Sequence, residues 1–263
     1  DRSYSEFSLD DTLLEFSTEG RGDYRVPFLA VSWGDKGDRT VNLKHSSYLI
    51  HPGIVRFKGP KMPQAIGSEN DTETLEVIYE DTFRRIKLST FYTAFFSSDV
   101  IVRRSVLYNN SDSPLTIRSL ASAQIDVRAG EAEITSFSGT WGRERNEYVT
   151  EIKSGTFTNS SRTVSSGEND PATIVSTDRD TYLFDLIYSG AHRTTVSVTN
   201  HNSLHIVTGI NPEMFSWTLD RGEFFETPEA VLIHSREGKD EAARTLRSFI
   251  THHIRRGLWK DRM

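Results

Sequence analysis

Gly209 to Ser235, GINPEMFSWTLDRGEFFETPEAVLIHS, is the stretch whose reading decides the fold. Met214, Phe215, Trp217 and Leu219 run into Asp220-Arg221-Gly222-Glu223, where a glycine can take the positive φ of a tight turn, and Phe224 and Phe225 lead back. That order predicts a β-hairpin whose aromatics need a large apolar partner surface. Thr227-Pro228-Glu229 then interrupts the pairing, because proline removes a ladder donor, and Ala230, Val231, Leu232 and Ile233 follow as a buried strand.

The same signals spread outward on the N-terminal side. Arg25 to Ser32 is a short apolar run closed by the turn residues Gly34-Asp35-Lys36-Gly37-Asp38. Leu75, Val77 and Tyr79 alternate with polar neighbours, as do Ile86, Leu88, Thr90 and Tyr92. Val100 to Tyr108 is apolar and β-branched up to the break at Asn109-Asn110-Ser111-Asp112-Ser113-Pro114. Leu115, Ile117, Ala121, Ala123, Ile125 and Val127 resume the pattern before Ala129-Gly130, and Tyr182, Phe184, Leu186, Val196 and Val198 repeat it. Strands parted by turns every 8 to 12 residues or so spell an all-β fold, a large antiparallel β-sandwich. No strand-helix-strand rhythm appears, which argues against a doubly wound α/β fold.

The tail differs. Ala242, Ala243, Leu246, Phe249, Ile250 and Ile254 fall at the three-and-four spacing of an amphipathic helix between Lys239 and Gly257. Asp240 and Glu241 suit its first turn, Arg255 and Arg256 its last, and Gly257 its stop. The expected organisation is a β body over residues 1–236 and a C-terminal linker helix over 237–263, with Leu258-Trp259 still holding apolar surface to bury.

Composition bounds the function. No run of about 18 apolar residues occurs, so no helical membrane span is expected, and the polar stretch opened by Asp1 lacks the form of a secretory signal. The absence of cysteine excludes disulfides, thiolate metal sites and a cysteine nucleophile, and suits a reducing, cytoplasmic setting. A net charge of -6 argues against a nucleic-acid partner, which selects a basic face.

One internal segment fits neither strand nor helix. His51 to Gly67, HPGIVRFKGPKMPQAIG, is punctuated by Pro52, Pro60, Pro63, Gly53, Gly59 and Gly67, and loops beyond ~12–15 residues in compact domains are usually functional or disordered. Its apolar members Ile54, Phe57 and Met62 argue against pure disorder, leaving a contact loop or a solvent-exposed flap. Gly139 to Arg145, GTWGRER, reads as a second irregular stretch with a local ion pair beside a packed tryptophan. His201 and His205 have metal-ligand spacing for a helix, but Val196, Val198, Ile206 and Val207 around them are strand-like, so no metal site is expected. His252 and His253 read as solvent or interface residues of the tail helix. No glycine-rich phosphate loop or Gly-x-Ser-x-Gly elbow is present, and Arg21-Gly22-Asp23 reads as a turn.

Several short motifs occur in one order: Asp1-Arg2-Ser3-Tyr4-Ser5, Gly22-Asp23-Tyr24-Arg25, Glu73-Thr74-Leu75-Glu76, Gly139-Thr140-Trp141-Gly142-Arg143-Glu144-Arg145, Ser165-Ser166 with Pro171, Tyr188-Ser189-Gly190, and Gly209-Ile210-Asn211-Pro212 through Thr227-Pro228-Glu229. Together they resemble the N-terminal domain of the α-galactosidases of glycoside hydrolase family 36. The resemblance implies a β-supersandwich joined by a linker helix to a (β/α)₈ catalytic barrel that begins after this sequence, with further residues before Asp1. It implies that the catalytic aspartates of a retaining reaction on terminal α-galactosyl groups of melibiose- and raffinose-type oligosaccharides lie on that barrel. No catalytic residue and no cofactor is then expected here.

The resemblance further implies a homo-oligomer, a tetramer in the full-length enzyme, with the loop His51 to Gly67 at the active-site rim of a neighbouring subunit. Asp1, Arg56, Phe57 and Met62 are the substrate-binding residues it points to. Two alternatives stand beside it: a stand-alone carbohydrate-binding module, with Trp33 or Trp141 stacking on sugar faces, and a ligand-free structural assembly domain.

Overall fold

The computed structural model describes residues 9–34, 37–59, 62–164 and 168–257; Asp1, Pro60, Lys61, the Ser165-Ser166 pair and Trp259, all singled out by sequence, lie outside the described residues. In chain order the strands are β1 Leu29–Trp33, β2 Lys44–Pro52, β3 Thr72–Asp81, β4 Ile86–Phe95, β5 Val100–Asn109, β6 Leu115–Val127, β7 Ala132–Thr140 and β8 Arg143–Ile152. They continue with β9 Gly155–Ser160, β10 Asn169–Ser176, β11 Thr181–Ile187, β12 His192–Val198, β13 Leu204–Ile210, β14 Trp217–Leu219, β15 Phe224–Glu226 and β16 Glu229–Ser235, before the helix α1 Lys239–Phe249.

The strands form two antiparallel sheets. A ten-stranded sheet runs β2-β3-β4-β5-β16-β11-β10-β7-β8, with β15 also on β5. A six-stranded sheet runs β1-β6-β13-β12-β9, with β14 also on β6. Phe28, Leu29, Val31, Ile117, Leu120 and Leu219 from the smaller sheet's side meet Ile86, Leu88 and Leu107 of the larger in one buried cluster between the layers. The larger sheet is also apolar on its outer face, where Phe95, Val100, Val102, Ile174, Leu183 and Val231 meet Ala242, Leu246 and Phe249 of α1. Strands buried on both faces read as continuous apolar runs, which is why Val100–Tyr108 shows so little alternation.

The segment around Gly222 has the predicted strands and turn but not the predicted hairpin. Trp217 pairs with Ile117 of β6, whereas Phe225 pairs with Leu107 of β5. The turn thus crosses from the smaller sheet to the larger, alongside the crossing that the chain makes between β5 and β6. Gly222 has φ 84° and donates its N–H to the Asn109 carbonyl at 2.7 Å, and buried Asn109 donates Nδ2–H to the carbonyls of Ser113 and Leu219 at 2.9 Å each. Phe215 and Trp217 do meet Phe225, at 5.3 and 5.4 Å between ring centroids, so the two arms touch through side chains rather than backbone. The interruption at Pro228 is as read: β15 and β16 lie end to end along β5, and between them Thr227 bonds Ser105 through both its N–H and Oγ1.

Gly139–Arg145 was expected to be irregular, and it is in part: Arg145 has φ 59° and the register shifts between Ser138 and Thr140, although the stretch belongs to paired strands. It is the tip of the β7–β8 hairpin, with Gly142 at φ 78°. Trp141 is 97% exposed instead of packed, and Glu144 accepts the Gly142 N–H at 2.9 Å while Arg145 pairs with Asp170 at 3.6 Å. The tail helix buries the expected Ala242, Leu246 and Phe249, but its last turn widens: Ile250–Ile254 is π-helical, and Arg255 donates its N–H to Ile250 O at 3.0 Å. That extra residue in the turn swings His253 onto Phe95 and Phe249, at 4.8 and 5.1 Å, so His253 is buried and only His252 of the pair faces solvent.

Candidate functional site

The segment between β2 and β3 crosses the outer face of the larger sheet, and its seat is built from charges buried beneath it. Arg104 of β5 is 3% exposed, with its guanidinium between two rings, 4.2 Å from the Phe91 centroid and 4.7 Å from that of Phe57. Such contacts favour arginine over lysine, because the planar cation stacks while its edge still donates hydrogen bonds. Arg104 Nη1 donates to Glu226 Oε1 at 3.1 Å and Nη2 to the Val55 carbonyl at 3.2 Å. The other oxygen of Glu226 accepts the backbone N–H groups of Lys58 and Gly59 at 2.9 and 2.7 Å.

The same device recurs along the loop. Glu229 Oε2 accepts the Ala65 N–H at 2.7 Å, Gln64 Nε2 donates to Val55 O at 2.9 Å, and Arg256 reaches the Gln64 carbonyl. His253 closes the far end: its carbonyl accepts the Ile66 N–H at 2.7 Å, and its Nδ1 lies 2.9 Å from Ile66 O. At the near end Gly53, with φ 75°, donates to Thr72 O at 2.9 Å and accepts from Thr74 Oγ1 at 2.7 Å. A side chain at Gly67 would place its Cβ 2.5 Å from Thr72 Cγ2, so the chain can pass there only without one. The described parts of the loop, residues 53–59 and 62–67, are therefore pinned to the sheet and the tail.

Burial of these groups leaves an electrostatic mark. It pushes the Arg104 guanidinium below its ordinary value, opposed by the nearby Glu226 and Glu229 charges. It pushes the Glu229 carboxyl up, against the Ala65 N–H, Gln64 and the charges of Arg104 and Arg56. Both remain held because each has several partners.

Of the residues predicted to bind substrate, Arg56, Phe57 and Met62 lie on this loop. Arg56 is exposed; Phe57 is half-buried against Arg104; Met62 is half-buried. The loop thus presents a cation, an aromatic edge and a thioether on a rigid base. From Gly53 to Gly67 it has no acid and no histidine, so its chemistry there is contact, hydrogen-bond donation and apolar packing; the segment's acids, Glu69 and Asp71, stand in the turn that leads into β3, where Asp71 Oδ1 accepts the Ser97 N–H at 3.3 Å. Sequence reading missed the anchors, Arg104, Glu226, Glu229 and His253, because a charge within or beside a strand ordinarily signals a solvated face. The signal available was the placement of Arg103-Arg104 inside the otherwise apolar run Val100 to Tyr108, where only Ser105 beside them is polar.

The aromatic platforms proposed from sequence part company. Trp33 has Arg84 stacked over it at 4.7 Å, whereas Trp141 stands free at its hairpin tip. A groove of about 510 Å³ lies between β2 and the β3–β4 turn, and several of its polar groups already have partners: Ser46 with Glu80, the Asn42 N–H with Asp81, and Arg84 with Asp38 beside it. A cleft of about 390 Å³ opens between α1 and the β7–β8 hairpin, floored by Phe137, Ile174 and Leu183. His205, of the pair with metal spacing, is buried with Nδ1 2.6 Å from Asp126 and Nε2 2.8 Å from Val26 O. No described helix is long and apolar enough to cross a membrane.

The sequence profile of the Glycosyl hydrolase family 36 N-terminal domain matches residues 1–220. Alpha-galactosidase AgaA of Geobacillus stearothermophilus is 29% identical over 273 residues, covering 100% of this chain and 37% of that protein. The solved galactosidase domain of alpha-galactosidase-sucrose kinase AgaSK, a bifunctional protein of Mediterraneibacter gnavus, has a TM-score of 0.92 at 29% identity, over 98% of this chain and 36% of that one. The G. stearothermophilus AgaA A355E D548N structure in complex with raffinose likewise has a TM-score of 0.92, at 27% identity, over 100% of this chain and 38% of that one. The chain spans little more than a third of the length of these relatives.

Proposed function

The chain belongs to glycosyl hydrolase family 36 as its N-terminal domain, and from that premise we propose that it is the non-catalytic part of an α-galactosidase. The whole enzyme releases terminal α-galactosyl groups from raffinose- and melibiose-type oligosaccharides by a retaining mechanism, with the acid/base and nucleophile on a domain that follows. This domain supports homo-oligomer assembly and holds the loop 53–67 at the rim of a neighbouring active site, where Arg56, Phe57 and Met62 meet the outer sugars; Asp1 is assigned to the same pocket.

The observation that carries this reading is the loop itself. It has side chains suited to contact and none suited to acid or base work, yet buried charges beneath it fix its backbone. Rigid placement is what a binding rim needs, since a group held in position does not pay for ordering when substrate arrives. In the longer enzyme, Arg56→Ala and Phe57→Ala should raise KM for raffinose severalfold while kcat stays within about twofold, the signature of lost uniform binding. A fall in kcat with KM unchanged would count against the rim assignment.

The carbohydrate-module reading keeps one specific support, the 97% exposed Trp141. Calorimetric titration of galactose and raffinose into the chain separates the two: the rim reading expects no heat of binding from the chain alone, and the module reading expects a Trp141-dependent one.

A further inference from the structure

Residues 9–28, ahead of β1, are tied to the smaller sheet largely by side chains. The Glu19 N–H donates to Leu29 O and the Leu29 N–H to Ser17 O, both at 3.1 Å, where the segment meets β1. Elsewhere β6 reaches out to it: the Leu14 N–H donates to Asp126 Oδ2 at 2.9 Å and the Ser17 N–H to Gln124 Oε1 at 2.8 Å. Buried Arg25 folds back over the segment, donating to the carbonyls of Leu9 and Thr12 at 2.9 and 2.7 Å and to the carboxylates of Asp23 and Asp126 at 2.9 and 2.8 Å. His205 of β13 stands opposite Asp126 in the ladder, with its side chain 1% exposed. Its Nδ1 lies 2.6 Å from Asp126 Oδ1, and its Nε2 lies 2.8 Å from Val26 O.

A neutral imidazole has one N–H and one lone pair, whereas an imidazolium has two N–H groups. The Val26 carbonyl can only accept, so Nε2 carries a hydrogen. Asp126 is ringed by donors besides the histidine: the Leu14 N–H and Arg25 Nη1 on Oδ2, and Gln124 Nε2 on Oδ1 at 3.2 Å. That is the setting of an ionised carboxylate, which accepts at every site, so Nδ1 carries a hydrogen too. We infer that His205 is a doubly protonated imidazolium in the folded chain and that the ring is a proton-held clasp, joining β6 and β13 to the segment 9–28 through Asp126 and Val26. Burial alone would strip the ring of its charge; the carboxylate at 2.6 Å and the second acceptor oppose that, since a neutral ring would turn a lone pair onto one of the two oxygens. Among the described residues, the charged groups around it are Asp126 on β6 and Arg25 and Asp23 on the segment, while Glu15, whose carboxyl feels the Asp126 charge, pairs with Arg103 of β5 at 2.6 Å. A histidine in the unfolded chain is mostly neutral above about pH 7, so folding takes up a proton here and rising pH works against the clasp. Loss of that proton leaves the ring one partner, loosening its hold on Val26 or on Asp126, and through Asp126 on Leu14.

The clasp needs no assumption about substrate, and its test uses the unaltered chain, isotopically labelled, with the ring of His205 assigned through its own backbone. Long-range proton–nitrogen NMR spectra at pH 7.5 should show both ring nitrogens of His205 protonated, with both N–H protons slow enough in exchange to be observed. As the pH is raised further, loss of the second ring proton should coincide with a fall of at least about tenfold in the hydrogen-exchange protection of the Leu14 and Ser17 amides, corrected for the intrinsic pH dependence of exchange. One unprotonated ring nitrogen at pH 7.5 would overturn the inferred charge. Deprotonation of the ring that leaves both amides as protected as before, or that occurs only when the whole chain unfolds, would overturn the clasp.

Discussion

Arg104 and Glu226 form a buried ion pair, with side chains 4% and 2% exposed, that acts as the bolt of the loop. Removing one partner of such a pair leaves an uncompensated charge and costs about 3–5 kcal/mol, whereas replacing both by apolar groups can be nearly neutral. Glu226→Ala should therefore destabilise the chain by about that amount in urea titrations and speed hydrogen exchange of the Lys58 and Gly59 amides, which lose their acceptor. Arg104→Met with Glu226→Met should recover most of the stability without recovering that protection. Two further groups, the half-buried Asp185 and the buried His192, give the protein opposite responses to pH. Burial, and then the charge of Asp170, raises the Asp185 carboxyl to about 7, so its contribution to stability is full below the unfolded value near 4 and is lost as pH rises through 7. Burial lowers the His192 imidazole to about 4, and neither ring nitrogen has a hydrogen-bond partner among the described residues. Its contribution is full above ~6.5 and is lost as pH falls toward 4. Asp185→Asn should accordingly gain stability over the parent as pH rises from 5 to 8, and His192→Leu as pH falls from 6.5 to 4, each with a slope of up to about 1.4 kcal/mol per pH unit in chemical denaturation series.

Among the elements, legibility followed burial. Strands with one or both faces in a core, such as β4, β5, β11 and β16, could be read from alternation or from an unbroken apolar run. Strands β2 and β8 could not, because a strand exposed on both faces has no reason to alternate: KHSSYLIHP and RERNEYVTEI carry no period. The Gly222 turn shows a different limit. Local chemistry specifies that the chain reverses, but which strand each arm pairs with is decided by β5 and β6, far away in sequence. The loop read as His51 to Gly67 was visible through its prolines and glycines, although His51 and Pro52 belong to β2, while its anchors at 104, 226, 229 and 253 come from elements that only the fold brings beneath it. Helix α1 was visible through its spacing, and its weight in the structure can be measured. Phe249 is fully buried and meets Phe95 edge-on at 4.8 Å. Phe249→Ala should cost about 3–5 kcal/mol, and because His253 stacks on the same ring, it should also release the Ile66 amide to exchange.

At the scale of the whole molecule, the larger sheet has two jobs. Its inner face closes a sandwich with the smaller sheet, and its outer face seats α1 and the loop side by side, joined through His253 and Arg256. Displacing the helix would therefore disturb the loop. The buried charges beneath the loop position it, and no residue from Gly53 to Gly67 is an acid or a histidine able to cleave a glycosidic bond. The most direct measurement is the release of galactose from raffinose by this chain alone, followed at neutral pH over increasing chain concentration. The account predicts no release above the buffer rate. Galactose appearing in proportion to the chain would place a bond-breaking site within these residues and contradict it.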